Sequence, residues 1–142
     1  LIINYEKQVF DIFKKNKWQN GTLFFEFAGP NSFAGFHKED DEFKVYLIDA
    51  HIGKVGFLPP KDFLKSFDND IEMAKFIKLG KLNKTFIDSV KNGTLEDMTF
   101  EGIIAKSFTR NKSIRCKVKN TAWIEKLKEK CGTDESLFNK LL

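Results

Sequence analysis

Glu101-Gly102-Ile103-Ile104-Ala105-Lys106 and, further on, Cys116-Lys117-Val118-Lys119 place one carboxylate and several lysines on two adjacent apolar segments. Read as neighbouring strands, they make an arrangement for holding a nucleotide phosphate. In an extended chain Lys117 and Lys119 fall on one face while Cys116 and Val118 anchor the other. A Glu-Gly pair alone is common, and so is Lys-x-Lys on a solvated strand, so the chemistry rests on the two occurring together. Phe25-Glu26-Phe27 adds a second carboxylate inside an apolar stretch, where a charge needs a reason. Lys106 is expected to be solvated, and His37 and His51 to sit at the surface or in turns.

Elements must position these groups. Asn4 is a candidate cap for a helix from about Tyr5 to Lys17, with Val9, Phe10 and Phe13 inward. Asn20-Gly21 marks a turn before a strand over Thr22–Ala28, and Gly29-Pro30-Asn31-Ser32 breaks that strand. Phe33–His37 resumes it, and Phe43–Ala50 follows after an acidic turn, giving an antiparallel meander. Gly53–Phe57 reads as a turn or short strand. Pro59-Pro60 introduces a helix over Lys61–Phe67, and Ile71–Leu79 fits either strand or helix, with Gly80 cutting it short in favour of a strand. Asn83 caps a helix to about Lys91 that Asn92-Gly93 stops. Strands over Phe100–Ser107 and Ile114–Val118 are joined by Thr109-Arg110-Asn111-Lys112, and 121–142 is a helical C-terminal segment.

At 142 residues and 42% hydrophobic, the chain is read as a single domain, 1–142, with a real core. Twenty-four basic against 20 acidic residues leave a net charge of +4, a mild excess that steers a polyanion only if it clusters. Cys116 and Cys131 make no CxxC pair, and free thiols in a reducing compartment are expected. No stretch approaches the roughly 20 apolar residues of a membrane span, and no signal-peptide pattern opens the chain. An intracellular, cytoplasmic protein with no membrane partner is expected. The chain starts Leu1-Ile2-Ile3 without an initiator Met, which points to a piece of something longer or to processing. The 16 Phe residues are expected to serve mainly the core. Lys126, Lys128 and Lys130 alternate with Glu125 and Glu129 on an exposed helix face.

Taken in order, Phe25-Glu26-Phe27, Val45-Tyr46-Leu47-Ile48-Asp49, Glu101-Gly102-Ile103-Ile104 and Lys117-Val118-Lys119 resemble the later signature motifs of covalent nucleotidyltransferases, most closely ATP-dependent RNA ligases. The resemblance spans roughly residues 22 to 125, and Asn120-Thr121-Ala122-Trp123 is similar to the way these ligases leave their last motif. It implies an α+β fold, with antiparallel sheets flanked by helices in a nucleotidyltransferase (ATP-grasp-like) core that is incomplete on its N-terminal side. It also implies ATP and Mg²⁺ as cofactors and RNA ends as partners. The activity would be joining of a 5′-phosphate to a 3′-hydroxyl through lysyl-AMP and RNA-adenylate intermediates.

By the same resemblance, Lys117 and Lys119 stabilise the α-phosphate, and Glu101 holds Mg²⁺ or orients the attacking lysine. Gly102 belongs to the nucleotide site, Glu26 lies by the ribose or the metal, and Tyr46 or a neighbour covers the adenine. The family's nucleophile sits in a Lys-x-Asp/His-Gly motif upstream of the Glu26 strand, and no such motif occurs here; Lys17-Trp18-Gln19-Asn20-Gly21 and Lys91-Asn92-Gly93 do not fit. The chain is thus expected to be the later portion of a ligase adenylation domain, inactive alone in self-adenylation, or a degenerate relative. A non-catalytic nucleotide- or RNA-binding module, a DNA ligase fragment and a capping guanylyltransferase fragment stand as alternatives.

Overall fold

Leu47 and Ala50 both face the core although they are three residues apart, and strict strand alternation would send one of them to the opposite face. A bulge resolves the conflict. In the computed structural model, which describes residues 5–30, 37–67, 71–109 and 112–142, strand β1 (Gly21–Ala28) pairs antiparallel with β2 (Lys44–Ile52). Phe24 lies opposite Asp49 while Phe25 lies opposite Leu47, so Ile48 is the extra residue. Along β1 the alternation stays regular: Leu23 and Phe25 pack on the core, and Phe24 and Glu26 are exposed. A 3₁₀ turn at Gly53–Val55 returns the chain into β3 (Gly56–Phe57), which pairs antiparallel with the end of β2. The sheet order is β1-β2-β3.

The chain is α+β, its antiparallel sheets flanked by helices, and it forms two compact units. The first comprises residues 1–76 and 106–114. Helix α1 (Glu6–Lys15) contributes the buried Ile12, with Val9 and Phe13 beside it. Phe10, expected inward, is 66% exposed. At about 100° per residue it falls well off the Val9–Ile12–Phe13 stripe. Asn4, the expected cap, lies outside the described residues. Helix α2 (Pro60–Phe67) starts on Pro60, whose missing N–H costs nothing in a first turn, and buries Phe63 and Phe67. These rings, with Leu47, Ala50, Ile52, Leu58 and Ile71, form the core.

Ile71–Leu79, expected as a strand, makes only a single parallel bridge, Leu47 to Met73. Its bonds run from the Leu47 N–H to the Glu72 carbonyl (2.8 Å) and from the Ala74 N–H to the Leu47 carbonyl (3.2 Å). Apolar alternation stops at Met73, because Ala74 and Lys75 are followed by the adjacent pair Phe76-Ile77. The expected strand Phe33–His37 and the turn residues Arg110 and Asn111 fall largely outside the described residues.

The second unit comprises residues 77–105 and 115–142. Helix α3 (Lys84–Lys91) begins where expected: the Asn83 side chain accepts the Phe86 N–H at 2.9 Å. Gly93, at φ +69°, ends it. Strands β4 (Gly102–Thr109) and β5 (Lys112–Lys119) form a two-stranded sheet, of which residues 106–114 belong to the first unit. The C-terminal segment is helical as expected but in two pieces, α4 (Thr121–Cys131) and α5 (Glu135–Leu141). Gly132 at φ +56° closes the first, and Asp134 caps the second by accepting the Leu137 N–H at 2.8 Å. Val90, Val118, Trp123, Leu127 and Cys131 are buried in this unit.

Candidate functional site

Lys119 ends β5, and its ammonium meets the Glu101 carboxylate just ahead of β4. Backbone geometry forces the meeting. The Asn120 N–H donates to the Glu101 carbonyl at 2.9 Å, and Gly102 sits at φ +136° against β5. A Cβ on Gly102 would lie 2.1 Å from the Val118 carbonyl oxygen and 2.9 Å from Lys119 Cα. Glycine here serves two purposes: it adopts a φ that side chains disfavour, and it lets two backbones approach closely. The Thr99 hydroxyl donates to the Gly102 carbonyl at 2.9 Å and steadies the turn before β4.

Helix α4 supplies the third wall. The buried Asn120 caps it by accepting the Ala122 N–H at 3.0 Å, which fixes the direction in which the helix leaves β5. Trp123 is thereby set one turn in, 1% exposed, with the Lys119 ammonium 4.1 Å from its ring centroid. Side-chain exposure falls to 11% for Lys119 and 26% for Glu101. An ammonium has three donors; here it is held between a carboxylate and an indole face, a cation–π geometry that desolvation strengthens. A lysine fixed in this way is suited to neutralising a phosphoryl oxygen without reorganising.

Lys117 shares Lys119's strand face but is exposed. Cys116, expected to anchor the opposite face with Val118, is exposed as well, while Val118 is buried. Within β5 only Val118 is buried, at the end beside α4. Glu26 and Tyr46 face each other across β1 and β2 in the first unit, Glu26 exposed and Tyr46 half-buried. The expected site residues therefore fall into two groups: Glu101, Gly102, Lys117 and Lys119 in the second unit, Glu26 and Tyr46 in the first.

Lys106 is half-buried rather than fully solvated. Its ammonium donates to the Ile48 carbonyl, pairs with Asp49 Oδ2 at 3.2 Å, and lies 5.3 Å from the Phe63 ring centroid. Asp49 is 7% exposed, and its Oδ1 also accepts the Ala50 N–H at 3.0 Å. A carboxylate that deep requires a counter-charge. Sequence alone offered only a weak signal for it, an Asp closing the apolar run Tyr46-Leu47-Ile48. Trp123 as the ring beneath Lys119 was likewise missed, although Asn120-Thr121 marks a helix start that would have placed it.

Among the described residues, no group of three or more His, Cys, Asp or Glu side chains comes together as a metal cage. Mg²⁺ commonly takes only one or two carboxylates, completing its shell with water and phosphate oxygens. Glu101 has the right chemistry for one such ligand, with Lys119 already bound to it. Searched against known protein families, curated proteins and solved structures, the chain finds no match.

Proposed function

We propose that this chain is the later portion of the adenylation domain of an ATP-dependent RNA ligase, with a nucleotidyltransferase core, and that it grips the α-phosphate of ATP through Lys119 and Lys117. The pairing of Glu101 with Lys119 carries this reading. Two motifs eighteen residues apart in sequence come together as one charged contact, with a glycine whose absent side chain makes the contact possible. Lys119, oriented by Glu101 and Trp123, neutralises charge on the phosphoryl group; the exposed Lys117 adds a second cation. Mg²⁺, when bound, supplies further charge neutralisation, with Glu101 as the residue to hold it. Transfer of AMP to an RNA 5′-phosphate needs a nucleophilic lysine from a Lys-x-Asp/His-Gly motif that these 142 residues do not contain.

Calorimetric titration of the chain with ATP, AMP and GTP in the presence of Mg²⁺ tests the proposal. Saturable ATP or AMP binding that Lys119→Ala weakens by about tenfold or more is expected, as for loss of a charge-assisted contact. Undiminished binding in that variant, or none in the parent chain, sinks the proposal. A preference for GTP moves it to capping guanylyltransferases.

A further inference from the structure

The face of the three-stranded sheet that turns away from the core carries a run of rings. Phe24 of β1 and Phe57 of β3 stack with centroids 5.6 Å apart and planes at 30°, and His51 of β2 meets Phe57 edge-on at 5.1 Å. Register places them together: Thr22 lies opposite His51, and His51 opposite Phe57. None of the three rings belongs to the core cluster, and Phe24 is 39% exposed. An open notch adjoins this face, lined by Asn20, Gly21, Thr22, His51, Gly53 and Lys54. His51 belongs to both features. None of the six lining residues is acidic, and Lys54 and the polar groups of Asn20, Thr22 and His51 offer a cation and hydrogen-bond donors to an anion.

An aromatic platform beside a cationic, donor-rich notch matches the two halves of a nucleotide, a base with a π-face and a phosphate. We infer that this face is a binding surface for single-stranded RNA, one base stacking on Phe24 and Phe57 and an adjoining phosphate entering the notch at Lys54. The inference deepens the proposed function, from which it takes that the strand is RNA. It places strand binding on residues separate from Lys119 and Glu101. Sequence-tolerant stacking combined with a cation that follows the backbone is the usual physics of single-strand binding.

Fluorescence anisotropy with a labelled single-stranded RNA of about 12 nucleotides, a length within the usual range of such sites, tests this on the whole chain. Phe24→Ala is expected to weaken RNA binding about tenfold or more, and Phe24→Tyr to restore it. Lys54→Glu should weaken binding and flatten its dependence on salt, because one phosphate contact is lost. ATP binding should survive all three substitutions, and circular dichroism checks that each variant folds. RNA affinity unchanged in both Phe24→Ala and Lys54→Glu overturns the inference, as does a parent chain that fails to bind single-stranded RNA. RNA binding that depends on Phe24 in a chain that ignores ATP would support this surface and defeat only the adenylation reading.

Discussion

Gly102 and Lys119 are in backbone contact: a methyl group on the glycine would stand 2.9 Å from Lys119 Cα and closer still to the preceding carbonyl. The glycine therefore sets how near the Glu101 turn can come to the end of β5. Gly102→Ala is expected to cost about 2 kcal/mol or more, from the unfavourable φ together with the clash. Urea denaturation measures the loss, and ATP titration of the same variant should show weaker binding because Glu101 and Lys119 are pushed apart. A variant as stable as the parent would show that the strands can separate there without penalty.

Lys106 and Asp49 form a largely enclosed charge pair in the first unit, Asp49 being the more deeply buried member. Lys106→Met removes the ammonium and takes this counter-charge from a buried carboxylate, a change expected to cost about 3 kcal/mol. Adding Asp49→Asn should recover part of that loss, since a neutral amide tolerates burial better than an ion. Thermal unfolding of the two single variants and the double variant closes the cycle. Strictly additive losses would mean that the pair contributes no coupling.

Asp41 contributes to the low-pH behaviour of the acidic turn. Its carboxylate accepts the Lys38 N–H at 2.9 Å and the His37 ring lies 3.1 Å away. The backbone bond first, and His37 second, hold its pKa below the ordinary 3.8. Because the folded value is depressed, the turn gains stability above the unfolded pKa and loses it as pH falls through the folded one. An NMR titration should therefore show the Asp41 carboxyl titrating below 3.8, with protection of the Lys38 amide lost over the same range. A midpoint at or above the ordinary value would contradict the hydrogen bond.

Much of the local architecture was legible in the residues. Asn83 and Asn120 announce helix starts, Asn92-Gly93 a stop and Pro60 a first turn, because each acts through its own backbone and immediate neighbours. Phe10 and the far end of Ile71–Leu79 depart from the expected pattern, because Phe10, Phe76 and Leu79 stay exposed while Ile71 and Met73 reach the core.

The motif order Glu101-Gly102 followed by Lys117-Val118-Lys119 was determined by the sequence itself, whereas the need for glycine beside the carboxylate arises from the close approach of β5. Which lysine is held and which is solvated was decided only by tertiary structure. Alternation makes Lys117 and Lys119 equivalent, whereas α4 reaches only the end of β5, so Trp123 and Glu101 enclose Lys119 and leave Lys117 in water. The same holds for Lys106, whose partner Asp49 is 57 residues away in sequence and near it only because the chain folds. Ion pairs and ring contacts depend on distances across the fold, and those distances arise only when the core and the helix caps have placed each element.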